Sequence, residues 1–281
     1  MPDPSTAVLI TGCSSGIGHA TAEHLAGEGW KVYATARRRE TIADLAQKGC
    51  ETLALDVCDE DSMTAAVSAV TEAEAAVGVL INNAGYSQSG AVETVPPDQV
   101  RRQFETNVFG LIRMCQLVLP GMRDQHWGKI VNIGSMGGRL TFPGGGLYHA
   151  TKYSVEAISD ALRFEVRGFG VDVILVEPGL ITTGFADAAT ATVESDEGGP
   201  YAKFNHAVSK LTTEAYAGPM AKLGGGPDKV AAAIAGALAA KRPKARYPVT
   251  PSAHLMINQR RFTPDRVWDM TMRTQFPTPK P

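Results

Sequence analysis

The chain has 281 residues, 44% of them hydrophobic, and a formal net charge of -2. That length and apolar content suffice for one large buried core, and the small charge, with a pI near 6.3, gives no electrostatic ground for a nucleic-acid or anionic-membrane partner. The four cysteines, Cys13, Cys50, Cys58 and Cys115, form no CxxC pair and have no histidines clustered with them. This argues against a disulfide framework or zinc site and for reduced thiols in a cytoplasmic setting.

The first six residues carry no basic or apolar stretch of the signal-peptide kind. Short runs rich in Val, Ile and Leu then predict strands at 7–11, 31–36, 52–55, 79–82, 129–133 and 171–176. They show little apolar/polar alternation, as expected of parallel strands buried on both faces. Helical patterns fall between them, at 16–28, 41–48, 59–77, 98–123 and 148–168. Repeated strand–helix units of this kind wind an α/β sheet in both directions, with helices on both faces. The segment 185–226, with glycines at 198–199 and 224–226, breaks the rhythm and reads as a long irregular lid. A helix at 227–240 and a strand at 246–249 follow, and a C-terminal extension over about 250–281 holds a last amphipathic helix at 264–273. The longest apolar run, 230–240, is too short to span a bilayer. No repeat or linker divides the chain, so residues 1–281 read as one domain.

The first strand runs into TGCSSGIG, residues 11–18. A glycine-rich strand-to-helix turn lets the backbone approach a pyrophosphate at the helix N-terminus, although a tight turn without a ligand has the same composition. Asn82-Asn83-Ala84-Gly85 closes the fourth strand, where parallel sheets bind ligands; a plain turn also favours Asn and Gly. Tyr148 and Lys152, in YHATK, lie four apart at the start of a helix and share a face. A cation ~4 Å from the phenol, at an effective dielectric of ~20, favours the phenolate by ~4 kcal/mol. That would bring Tyr148 toward working pH as an acid/base group. His149 points off that face and reads as structural. Nothing beside Cys13 suggests an activated thiolate, and His206 reads as an exposed loop residue.

Taken in order, TGCSSGIG, NNAG, Asn107, Ser135, YHATK and Pro178-Gly179 closely resemble the short-chain dehydrogenase/reductase family, over about residues 5–185. The resemblance implies a single-domain, Rossmann-like doubly wound parallel sheet and hydride transfer between a nicotinamide dinucleotide and a carbonyl or alcohol. It implies that Tyr148 is the acid/base, that Lys152 lowers its pKa and bonds the nicotinamide ribose, that Ser135 orients the substrate oxygen, and that Asn107 holds a water linking Lys152 to solvent. It also implies cofactor contacts from Gly12, Ser14, Ser15, Gly16, Ile17 and Gly18 at the pyrophosphate, and from Asp56 and Val57 at the adenine. Asn83, Ala84 and Gly85 would line the adenosine, and Pro178, Gly179, Ile181 and Thr183 would fix the carboxamide. The helices 98–123 and 148–168 pair across a two-fold axis in that family, implying a homodimer or homotetramer.

At the end of the second strand, Ala36 stands where NAD-specific members carry an acidic residue, and Arg37 is placed to meet a 2′-phosphate. NADP(H) is therefore expected over NAD(H), with Ser15 and Arg38 as helpers and Arg39 in solvent. The region 246–273 resembles, more loosely, 17β-hydroxysteroid and retinol dehydrogenases, which implies a small lipophilic ketone or alcohol as substrate. The alternative is a dinucleotide-sensing regulatory protein with the same fold and little turnover.

Overall fold

The computed structural model describes residues 3–193 and 198–279. Seven parallel strands form one sheet: β1 (Val8–Ile10), β2 (Val32–Ala36), β3 (Glu51–Ala54), β4 (Val79–Asn82), β5 (Gly128–Ile133), β6 (Val171–Pro178) and β7 (Arg246–Val249). Their spatial order is β3-β2-β1-β4-β5-β6-β7. Val8 stands level with Val32 on one side and Val79 on the other, so the winding direction reverses at β1.

Period-2 strand geometry sends alternate side chains to opposite faces, and both faces are buried here. Val8, Ile10, Ala34, Ile81, Val131 and Ile174 pack beneath α1 (Gly16–Gly27) and α9 (Pro227–Ala239) through Leu25, Ile234 and Leu238. Leu9, Tyr33, Leu80, Ile130 and Leu175 pack on the other face, against Met63, Val67, Met114, Val118 and Val155. Those residues come from α3 (Glu60–Glu74), α5 (Gly110–Asp124) and α6 (Gly146–Val166). The chain between β2 and β3 holds a short α2 (Ala43–Gln47). Asp59 starts α3 by accepting from the Ser62 N–H at 3.1 Å, an ordinary N-cap.

The helix expected over 98–123 is two helices, α4 (Pro97–Phe104) and α5, joined by a π-helical turn at Glu105–Phe109. The segment 185–226 is not irregular. It folds as α7 (Phe185–Thr190) and α8 (Ala202–Ala217), followed by a 3₁₀ turn at Pro219–Leu223; positions 194–197 lie outside the described residues. In α8 only Asn205 and Val208 are fully buried, too narrow a stripe to produce apolar periodicity. The C-terminal extension carries an unexpected helix, α10 (Pro251–Phe262), ahead of α11 (Asp265–Gln275). It fully buries only Ser252 and Ala253. These two helices form a third small core, in which Trp268 and Met272 enclose Leu140 from the loop after β5. No helix among the described residues is long and apolar enough to cross a membrane.

Candidate active site

The carboxyl ends of the strands open into one cleft of about 1680 Å³, centred where the strand order reverses. Beyond β1 the chain turns with Gly12 at φ 74° and Gly16 at φ 61°. A β-carbon at Gly12 would sit 2.9 Å from the Ala84 Cα, so side chains are excluded by space as well as by conformation. The Asn83 side-chain amide donates to the Thr11 and Gly12 carbonyls, at 3.0 and 2.9 Å. The Thr11 hydroxyl accepts from the backbone N–H groups of Asn83 and Ala84, each at 3.0 Å. Ser15 places no side-chain cap on α1. The first N–H groups of that helix therefore face a glycine-walled hollow without an acceptor from Ser15, an arrangement fitted to a phosphate.

Gly12, Ser14, Ser15, Gly16, Ile17, Arg37, Asp56, Val57, Asn83, Ala84, Gly85, Pro178, Gly179, Ile181 and Thr183 all line this cleft, as do Ser135, Tyr148 and Lys152. Two expected residues do not. Gly18 lies behind the turn, where a β-carbon would meet the Asn83 Nδ2 and the Gly12 carbonyl oxygen at 2.4 Å each. Asn107 is buried in the π-helical turn, donating to the Tyr86 carbonyl at 2.9 Å and the Thr151 hydroxyl at 3.0 Å and accepting from the Tyr86 N–H at 3.1 Å. At the far end of the cleft Ala36 joins Arg37 in the wall. Arg39 is not simply solvated, because its Nε donates to Thr52 Oγ1 at 2.9 Å.

Tyr148 and Lys152 do share a face of α6, yet the electrostatics differ from the expectation. Lys152 donates to the Ile133 carbonyl at 2.7 Å, and its Nζ is 5.8 Å from the centre of the Tyr148 ring. Burial pushes the phenol up to about 12, with the Ser135 hydroxyl opposing it. Burial likewise brings the Lys152 ammonium down to about 8. The ammonium is anchored at the end of β5 rather than on the phenol oxygen, so desolvation of the phenolate wins. Tyr148 therefore holds its proton more tightly than a free phenol does.

Ser135 starts the loop after β5 and accepts from the Gly137 N–H at 3.0 Å. His149 holds that loop against α6. Its Nε2 accepts from the Phe142 N–H at 3.2 Å, so Nδ1 carries the hydrogen and donates to the Gly137 carbonyl at 2.9 Å. With burial also favouring the neutral ring, His149 is structural, as its position in the motif suggests. Cys13 is buried and its thiol is pushed up to about 12, chiefly by burial. His206 is exposed, though on α8 rather than on a loop.

Sequence reasoning missed most of the outer cleft wall. Phe185 lies 5.5 Å from the Tyr148 ring and 6.4 Å from that of Tyr216. Ala188, Ala191 and Val193 add an aliphatic side, and Tyr86 and Gln88 stand across from them. The two walls are fastened together. Thr192 Oγ1 accepts from the Ser89 N–H at 2.9 Å, the Gln88 side chain donates to the Thr192 carbonyl at 3.1 Å, and Asn205 Oδ1 accepts from the Ala91 N–H at 3.2 Å. No local sequence signal links Phe185 to Tyr216, because only the fold brings their rings together.

Residues 6–194 match the short chain dehydrogenase family model. The 3-ketodihydrosphingosine reductase of Bacteroides thetaiotaomicron is 36% identical over 95% of this chain and 96% of its own length. The NADPH-dependent 3-dehydrocapnine reductase of Ornithobacterium rhinotracheale is 34% identical over 93% and 94% of the two chains. A short-chain dehydrogenase from Streptomyces avermitilis superposes with a TM-score of 0.81 at 33% identity, covering 97% of both chains. A closed form of serine dehydrogenase complexed with NADP+ superposes with a TM-score of 0.75 at 26% identity, over 86% of this chain and 94% of that one. With the motifs of its first 185 residues gathered around one cleft, the chain belongs to the short-chain dehydrogenase/reductase family of oxidoreductases.

Proposed function

We propose that this protein is an NADP(H)-dependent oxidoreductase that reduces a lipophilic ketone, or oxidises the matching secondary alcohol. The observation that carries this reading is the half-buried phenol of Tyr148, which lines the same cleft as a glycine-walled phosphate hollow, with Ser135 beside it. The hollow fits the dinucleotide: Gly12, Ser14, Ser15, Gly16 and Ile17 would hold its pyrophosphate, with Gly18 supporting the turn from behind. Arg37 would meet the 2′-phosphate, Asp56, Val57, Asn83, Ala84 and Gly85 the adenosine side, and Pro178, Gly179, Ile181 and Thr183 the nicotinamide end. When bound, the reduced cofactor supplies the hydride.

In this reading Tyr148 donates its proton to the ketone oxygen, and Ser135 holds that oxygen through its hydroxyl. Lys152 uses one donor on Ile133 and keeps two N–H bonds for a ribose and for stabilising the phenolate left behind. Both Asn107 side-chain hydrogens are engaged by Tyr86 and Thr151, so a water it holds for Lys152 would donate to its side-chain oxygen or bind its main chain. Phe185, Ala188, Ala191 and Val193 favour an apolar substrate, and the two curated relatives are named for reducing keto compounds. A sensing protein without turnover has no use for such an acid in the cleft.

Incubation with NADPH and a panel of lipophilic ketones, followed at the nicotinamide absorbance, should reveal turnover of at least one. The rate of reduction should fall above the Lys152 value of about 8, where the ammonium loses its proton. Tight NADP+ binding with no turnover across the panel would defeat the reading.

We also propose a homodimer or homotetramer. Ile158 and Leu162 pack on the sheet-facing core, leaving the exposed stripe of α6 to Tyr153, Ala157, Ala161 and Phe164. Phe164 is 85% exposed, and Phe109, at the end of the π-helical turn before α5, is 52% exposed. Stripes of this kind are usually covered by a symmetric partner. Light scattering should give a multiple of 29.8 kDa; a monomer at micromolar concentration would exclude it.

A further inference from the structure

Beneath the cleft floor, a cluster of charges joins three parts of the site. Glu177 immediately precedes Pro178, and its side chain is 1% exposed. Glu156 follows Lys152 by one turn of α6, with 10% of its side chain exposed. Arg139, four residues beyond Ser135, puts its guanidinium 3.2 Å from Glu177 Oε1 and 3.9 Å from Glu156 Oε2. Arg246, from β7, donates through Nε to Glu156 Oε2 at 3.1 Å and lies 3.8 Å from Glu177 Oε1. Its other arm donates to Asp160 at 2.6 Å, and Asp160 also accepts from Arg163 at 2.6 Å. Gly138 is wedged over the cluster: a β-carbon there would meet Glu156 Cγ and the Lys152 carbonyl oxygen at 2.9 Å each. The Ser135 loop therefore rests directly on the turn of helix between Lys152 and Glu156.

One oxygen in this cluster lacks a donor. Glu156 Oε1 is buried and receives no N–H or O–H from the described residues. The Glu177 carboxyl lies against that of Glu156, the two sharing the guanidiniums of Arg139 and Arg246, and two carboxyl oxygens attract one another only with a proton between them. We propose that Glu156 and Glu177 share one proton, and that this pair, clamped by Arg139 and Arg246, is a positioning element that sets Ser135, Lys152 and Pro178 relative to one another. The positioning role rests on the function proposed above; the shared proton does not.

The charged groups facing the pair are Arg139 from the loop after β5, Arg246 from β7, and Asp160 and Arg163 from α6 itself. The neighbouring α10 turns Ser252 and Ala253 inward. Burial is the first cause raising Glu156 to about 7; the charge of Glu177 and the hydrogen bond to it add to this, and Arg246 opposes it. A raised carboxyl stabilises the fold below its unfolded value, 4.5 here, and that contribution is lost as pH rises through the folded value near 7. Above that point the two buried carboxylates repel, and the loop, helix and strand end they join lose register.

The test pairs spectroscopy with kinetics on the full-length protein. Infrared spectra should show a protonated-carboxyl C=O band in the wild type at about pH 6, weakened at about pH 8 and absent in Glu156→Gln. The Gln amide donates to Glu177 as the shared proton does, so this variant should gain melting temperature relative to wild type between those two pH values. With NADPH and a ketone from the panel, wild-type kcat should fall through about pH 7, and Glu156→Gln should remove that fall while keeping the one above about 8. Glu156→Ala should lower kcat by about tenfold or more, while KM for NADPH moves less than about threefold. A missing carboxyl band, with a melting difference that ignores pH, overturns the shared proton. A band present while Glu156→Ala keeps full kcat overturns the positioning role. If Glu156→Ala fails to fold, the pH profile of Glu156→Gln decides that role. Absence of turnover in every variant refutes the functional reading and with it the positioning role, while spectra and melting still decide the proton.

Discussion

Tyr148→Phe is expected to lower turnover at least about 10²-fold while leaving NADP+ binding intact. The ring of Tyr148 packs between His149, at 5.7 Å, and Phe185, at 5.5 Å, and a phenylalanine ring preserves both contacts. Only the oxygen and its proton are lost. Ser135 keeps its bond from the Gly137 N–H, so the loop keeps its shape and the stability change should stay near ~1 kcal/mol. A ketone still bound beside Ser135 then lacks the group that neutralises its developing charge. Single-turnover kinetics with NADPH, beside fluorescence titration of the cofactor, separate the two quantities. Near-wild-type turnover in this variant would remove Tyr148 from the chemistry.

Ala36→Asp should reverse cofactor preference. The wild type is expected to favour NADPH over NADH at least about tenfold in kcat/KM, since a charge-assisted hydrogen bond contributes ~1.5–3 kcal/mol. Arg37 is exposed at the cleft wall just beyond β2, and Ala36, 4% exposed, closes the strand beside it. A carboxylate at position 36 repels a 2′-phosphate and accepts from ribose hydroxyls instead. Arg37→Ala should erode the NADPH preference without creating one for NADH. The argument fails if wild-type kcat/KM is equal for the two cofactors, whatever the variants do.

The strands and the phosphate turn were legible because their signals are local. A strand buried on both faces must be continuously apolar, and a turn that seats against Ala84 must be glycine at position 12. The electrostatics of Tyr148 were not legible, because an i, i+4 spacing places Lys152 on the right face without revealing that its ammonium is anchored on the Ile133 carbonyl. The outer wall was hidden for another reason. Phe185 and Tyr216 sit on helices that each bury only two residues, so composition resembled a loop. Glu156 on a helix and Glu177 at a strand end carry no local sequence signal. Only the fold shows that both point inward.

The seating of Gly18 against Asn83 bears on how this protein can change over generations. The two residues are separated by 65 positions (83 minus 18), yet any side chain at 18 strikes both the Asn83 amide and the Gly12 carbonyl it holds. Damage at either position disturbs the same contact, so a second lesion adds little to the first. TGCSSGIG and NNAG thus work as a single joint. A chain that loses one gains little by keeping the other.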